Sequence, residues 1–246
     1  MNIEYHKWWS PSLEQEMELK TYGWFGKPVL VFPAQGGSFH EFEDMGMVDV
    51  ISGWVETGKI KLFTVNSVDD QSWANWGAHP ADRARRHLDY EQYIIHEVVP
   101  FVREHCGDTG EKFMATGVSM GGYHSANFFF KNPDIFDTVI SMSGIFRLRM
   151  FIGDYMDENV YYNSPLHYLQ EMEDPWYLEQ YRQSRIVISV GQGRWEEEML
   201  DNIRDLSSLM QEKNIPCWID HWGYDVDHDW PWWKKMLPYF MEKLRI

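Results

Sequence analysis

Lys112-Phe-Met-Ala-Thr-Gly-Val-Ser-Met-Gly-Gly-Tyr-His-Ser125 is the stretch that decides the fold. Its apolar run Phe113-Met-Ala115 reads as a strand, Gly117-Val-Ser-Met-Gly121 as a sharp turn, and Gly122 to Phe130 as a helix. A turn this tight forces strained backbone angles on Ser119, and the glycines at 117 and 121 keep side chains out of the place where strand and helix nearly collide. The Ser119 hydroxyl then stands clear of the sheet. The backbone N–H of Met120 opens the helix, where it would stabilise a developing oxyanion. A bare G-x-S-x-G recurs by chance, but this one occurs once, near the middle of the chain, with a strand before it and a helix after it.

Upstream, Pro28-Val-Leu-Val-Phe32 is a continuous apolar run of the length of a strand buried on both faces, and it breaks at Pro33-Ala-Gln-Gly-Gly-Ser38. Gly36 and Gly37 leave main-chain N–H groups unobstructed there, so a second oxyanion donor is expected at Gln35 or Gly36. An ordinary Gly-Gly turn is the alternative. Ile3 to Trp9 and Glu14 to Thr21 alternate in the manner of half-buried strands and predict an antiparallel pair at a sheet edge. Asp44 to Thr57 reads as a short helix, Ile60 to Val65 as the next central strand, and Ala81 to Glu104 as a long amphipathic helix. The polar loop from Asn66 to Gly77 leaves the C-terminal end of a strand and should face the crevice that holds Ser119, which makes Trp73, Asn75 and Trp76 candidate substrate-binding walls.

Downstream, Phe136 to Met142, Arg185 to Val190 and Pro216 to His221 supply further strands, and Trp230 to Leu244 a closing helix capped by Asp229. Strand, helix, strand, helix in this order predicts an α/β protein with a mostly parallel central sheet and helices on both faces. Between residues 145 and 184 clear periodicity is lost, and a segment that long reads as a lid-like excursion. There is no linker or internal repeat, so residues 1–246 read as a single domain.

A serine hydroxyl is a poor nucleophile unless a base takes its proton and a third group orients the base. When such a serine sits on a strand-to-helix elbow, the acid follows a late strand and the histidine follows the last one. Of ten histidines only His228 lies in a loop directly after the last strand; the others read as structural or surface, with His124 facing outward near Ser119. Glu196, Glu197 and Glu198 follow the penultimate strand. Glu196 precedes the helix proper and can reach the His228 ring, whereas the other two are first-turn residues favoured by the helix dipole. Asp225 and Asp227 are rivals for the acid, although side chains so near His228 in sequence more often brace the loop. The run Asp225-Val-Asp-His-Asp229 offers hard oxygen ligands but lacks the spacing and glycine of a calcium loop, so no metal is assigned.

Composition sets the outer bounds. With 44% hydrophobic and 24% charged residues the chain reads as globular. A formal charge of −16, from 22 basic against 38 acidic residues, argues against nucleic acid and anionic membranes as partners. The N-terminus lacks the layout of a signal peptide and no apolar run is long enough for a membrane span, which makes a cytoplasmic location the default expectation. Cys106 and Cys217 are too few for a disulfide framework and read as buried or inert thiols. Thirteen Trp, 13 Tyr and 14 Phe suit aromatic pocket walls, or an interface in a homo-oligomer, beyond a bulky core.

Gly117-Val-Ser-Met-Gly-Gly-Tyr123, Gly191-Gln-Gly-Arg-Trp-Glu196 and His228-Asp-Trp-Pro-Trp-Trp233 together resemble the esterases of the esterase D and antigen 85 group, within the α/β-hydrolase superfamily. The resemblance runs from about Pro28 onward and is weakest over 145–184. It implies the α/β-hydrolase fold with Ser119 as nucleophile, Glu196 as acid, His228 as base, and main-chain donors at Met120 and near Gln35. One departure is Phe32-Pro33-Ala34, which stands where His-Gly or Asp-Gly is more usual. The expected activity is cleavage of small-molecule acyl esters or thioesters through an acyl-enzyme, with no cofactor. Acyl transfer on the same fold, or a binding protein with a silent site, are the alternatives.

Overall fold

The computed structural model describes residues 1–246. Eight strands form one sheet in the order β1-β2-β4-β3-β5-β6-β7-β8. β1 (Ile3–Ser10) pairs antiparallel with β2 (Gln15–Tyr22), and β2 antiparallel with β4 (Ile60–Val65). From β4 across β3 (Lys27–Phe32), β5 (Phe113–Val118), β6 (Phe136–Met142) and β7 (Arg185–Val190) to β8 (Trp218–His221), every pairing is parallel. The patterns explain the layout. β1 alternates between exposed and half-buried positions, as an edge strand with one wet face must, whereas β4 and β5 are buried at every position.

α1 (Glu41–Asp44), α2 (Met47–Val50) and α3 (Ser52–Glu56) follow β3. α4 (Pro80–Tyr93) and α5 (Val99–His105), joined by a π-helical turn at Ile94–Val98, follow β4, and α6 (Met120–Lys131) follows β5. α7 (Arg149–Ile152), α8 (Glu158–Tyr161), α9 (Pro165–Tyr168) and α10 (Pro175–Gln183) fill the excursion, before α11 (Glu197–Glu212) and α12 (Trp230–Leu244). None is long and apolar enough to cross a membrane.

Two expectations change in detail. The single helix expected over Asp44 to Thr57 is broken, because Gly46 adopts the left-handed φ of +73° and Ile51 leaves the helical region at ψ 10°. The long helix after β4 exists but widens at residues 94–98. Pro100 has no N–H to return and its ring crowds the carbonyl four residues back, which a π-turn accommodates.

Alternate residues of β3 serve two cores: Leu30 and Phe32 join a cluster of 46 buried apolar residues with α4, α5, α6 and α11, while Val29 and Val31 join one of 22 with α1, α2, α3 and α12. The elbow helix α6 stands in the thicker layer, and Met120 through Phe130 are all buried. The parallel strands end on one edge. Strand order reverses there, with β4 on one side of β3 and β5 on the other, which places the loops after β3 and β5 side by side at a crevice.

Candidate active site

Ser119 sits between β5 and α6 at φ 55° and ψ −120°, a region that costs a non-glycine residue about 1–3 kcal/mol and persists only where the surroundings over-determine it. Three contacts do so. The Ser119 N–H donates to the Met142 carbonyl at 2.9 Å. A Cβ on Gly121 would strike the Phe32 carbonyl oxygen and come within 2.7 Å of that of Pro33. One on Gly117 would strike the Gly121 carbonyl. Only glycine lets β5, α6 and the end of β3 approach this closely.

The loop after β8 brings His228 to the serine, with Nε2 2.8 Å from Ser119 Oγ, while Nδ1 lies 3.3 Å from Glu196 Oε2. With the ring proton on Nδ1 facing the carboxylate, Nε2 is free to accept the serine proton. Glu196 is the N-cap residue of α11 and wholly buried, and His228 is 15% exposed. A buried carboxylate must be hydrogen-bonded. Its Oε1 accepts from Ser143 Oγ at 2.6 Å and from the Gly191 N–H at 3.3 Å. The Ser143 hydroxyl in turn accepts from Trp233 Nε1 at 3.0 Å, and the Trp233 ring meets His228 edge to face at 4.9 Å. Sequence reasoning missed Ser143, and it singled out Trp233 only as the end of the run from His228, without this role. A second positive φ, 50° at Ser143, marks another constrained turn, but no sequence signal points to it.

The acid and histidine loops are zipped together. The Gly193 N–H donates to Val226 O at 2.9 Å and the His228 N–H to Arg194 O at 3.1 Å. Arg194 grips Asp227 through Nε at 3.0 Å and Nη2 at 2.7 Å. Asp227 therefore braces the histidine loop. The Gly191-Gln-Gly193 pair has a packing reason: a Cβ at either glycine would strike the loop at Val226 or Asp227.

On the other side of Ser119, Ala34 to Gly37 forms a turn closed by Gly37 N–H to Ala34 O at 2.9 Å, with Gly36 at φ +76°. The N–H groups of Gln35 and Gly36 make no hydrogen bond within the protein, and that of Met120, first in α6, has no intrahelical acceptor.

Trp73 is fully buried against His87, at 5.0 Å between ring centroids, and so packs into the body of the molecule. Asn75 is half-buried. Trp76 is 60% exposed and stacks on Phe151 of the excursion at 5.5 Å. His124, expected to face outward, is instead completely buried and pairs through Nε2 with Asp69 Oδ1 at 2.8 Å, because α6 is enclosed on all sides. Both cysteines are free, and burial raises their thiols, Cys217 to about 12, so neither is a competing nucleophile near neutral pH. Away from the serine, Glu4, His6 and His105 converge within 4.8 Å in the manner of a metal site. Lys61 Nζ donates to His105 Nδ1 at 2.7 Å, which leaves the ring proton on Nε2 facing Glu4, and that nitrogen cannot then ligate.

An elbow serine at the carboxyl edge of a mixed sheet, facing a histidine and a buried glutamate, defines the class of α/β-hydrolase esterases. The family described as "Putative esterase" matches residues 40–244, and the chain belongs to that family. No curated protein matches the sequence. Among solved structures, a ferulic acid esterase superposes with a TM-score of 0.75 at 18% identity, covering 98% of each chain. A fluorophosphonate-binding serine hydrolase of Staphylococcus aureus gives 0.69 at 15%, covering 99% of this chain and 98% of its own. An S-formylglutathione hydrolase from Agrobacterium tumefaciens gives 0.72 at 12%, covering 98% and 93%. These likenesses carry the fold; the family carries the esterase activity.

Proposed function

We propose that this esterase cleaves small acyl esters through a Ser119–His228–Glu196 triad and an acyl-enzyme. The alignment of Ser119 Oγ, His228 and buried Glu196 at 2.8 and 3.3 Å carries the reading. Ser119 Oγ attacks the ester carbonyl as its proton passes to His228 Nε2. Glu196 stabilises the imidazolium and holds its tautomer, and the Met120 and Gln35 N–H groups receive the oxyanion. Collapse of the tetrahedral intermediate breaks the bond to the alcohol, which leaves with the His228 proton. Water then gives its proton to the same ring as it attacks the acyl-enzyme, and collapse of this second intermediate breaks the bond to Ser119 Oγ, which takes back the ring proton as the carboxylic acid product leaves.

The residues at hand supply every proton transfer, so the mechanism uses side chains and main-chain dipoles alone. Trp76, exposed on the loop after β4 and stacked on Phe151 of the excursion, is the aromatic surface we assign to an acyl or sugar-linked group. The test is hydrolysis of p-nitrophenyl acetate, butyrate and octanoate by wild type and Ser119→Ala. Turnover that vanishes in the variant supports the reading, and turnover that persists refutes it. The chain-length preference sizes the acyl site.

A further inference from the structure

We infer that Glu41 is a positioning residue of the oxyanion site, holding the Ala34–Gly37 turn so that the Gln35 N–H faces the carbonyl attacked by Ser119. The inference rests on the serine esterase mechanism above and adds to it a carboxylate that the mechanism itself does not use.

The geometry works through one peptide plane. Ala34 C=O and Gln35 N–H belong to the same trans peptide and point in opposite directions. Ala34 O accepts from the Gly37 N–H at 2.9 Å and so faces into the turn, which sends the Gln35 N–H outward. The turn must still be fixed against the strand it leaves. Ala34 N–H does this by donating to Glu41 Oε2 at 2.8 Å, so both polar atoms of Ala34 are tied down. The same carboxylate fills the space beside Gly37, where a Cβ would lie 2.5 Å from its Oε1. Glu41 is anchored in turn by its own N–H, which donates to Ser38 O at 3.0 Å.

Burial raises the Glu41 carboxyl above its usual value, against the Ala34 N–H bond and His40, which lower it, while Asp69 adds to the rise. What the carboxylate supplies there is an acceptor 2.8 Å from the Ala34 N–H. The departure of Phe32-Pro33-Ala34 from the His-Gly or Asp-Gly more usual at this point fits the same account, since the turn here is braced from α1.

Glu41→Ala should lower kcat about 10- to 100-fold, less than the loss of a whole oxyanion donor, with KM within about threefold. A trifluoromethyl ketone, which adds to Ser119 and leaves an oxyanion in the same place, should lose affinity by the same factor. Glu41→Gln, which keeps an acceptor for Ala34 N–H, should recover most of kcat. Gly37→Ala, whose new methyl displaces the carboxylate, should act like Glu41→Ala and add nothing to it in the double variant. An unchanged kcat in Glu41→Ala, a Gln variant as impaired as the Ala variant, or additive effects of Gly37→Ala would each overturn the inference. If a fluorophosphonate leaves wild-type Ser119 unlabelled, the serine mechanism itself fails; a labelled wild type with an unaffected Glu41→Ala refutes only the role of Glu41.

Discussion

Ser143→Ala removes one hydroxyl and, with it, the shortest hydrogen bond made by the buried Glu196. Oε1 would lose its 2.6 Å donor and keep only the Gly191 N–H at 3.3 Å, while Oε2 keeps His228 Nδ1, also at 3.3 Å. A hydrogen bond to a charged group is worth about 1.5–3 kcal/mol, and the Trp233 indole N–H, bonded to the same hydroxyl, would be left unpaired at a cost of about 1–3 kcal/mol. Because the two bonds share an atom the losses do not add in full, and we expect a destabilisation of about 2–4 kcal/mol, or a fall in Tm of roughly 5–15 °C. If about 1.5–2 kcal/mol of that is lost from the alignment of the acid, kcat falls about 10- to 30-fold at 1.36 kcal/mol per decade. KM should hold, since Ser143 is buried away from substrate. Thermal denaturation and p-nitrophenyl butyrate kinetics on wild type and variant check both arms. A variant with kcat within about twofold and an unshifted Tm would show that Glu196 is held by something other than this hydroxyl.

Gly121→Ala should prevent folding or cost more than about 4 kcal/mol, because its Cβ meets backbone carbonyls that cannot step aside; yield of folded protein and urea denaturation decide it. Asp227→Ala breaks the Arg194 grip, but Arg194 is 76% exposed, so stability should change by less than about 1 kcal/mol. The effect should appear instead as a severalfold drop in kcat at constant KM as the histidine loop loosens. Burial, with smaller contributions from His124 and Lys131, holds His87 well below its usual pKa. The unfolded chain therefore takes a proton near pH 6.5 that the native state refuses, so stability is full above that pH and declines as pH falls towards the native value. The decline from this group is at most about 1.4 kcal/mol per pH unit. Urea midpoints at pH 7, 6 and 5 should show a shallower slope in His87→Phe, with a residue of slope left by His6 and His167, whose values burial also lowers.

Much of this was readable from the chain because it is encoded locally. The apolar runs of β3, β4 and β5, the alternation of β1 and β2, the glycines around Ser119 and the Asp229 cap each report on a few neighbouring residues. Asp229 Oδ1 does accept from the Trp230 N–H at 2.7 Å. What escaped depends on distant partners. His124 gave no sign of its burial, since a helix enclosed on every side has no polar face for a period to reveal. Ser143 and Trp233 are 90 residues apart, and nothing in the sequence couples them. Gly191 and Gly193 could be rejected as a nucleotide fingerprint from sequence, but their reason is the histidine loop lying across them. Glu41, four residues beyond Gly37, drew no reading from the sequence, because its bond to the Ala34 N–H exists only once the turn folds back onto it.

The central claim is that Ser119 is a nucleophile activated by His228. Reaction of the purified protein with a fluorophosphonate, followed by peptide mass spectrometry, tests it most directly. One adduct on Ser119, absent in Ser119→Ala and formed at least about 100-fold more slowly in His228→Ala, is the predicted result. An adduct on another residue, or labelling of His228→Ala at the wild-type rate, would contradict it.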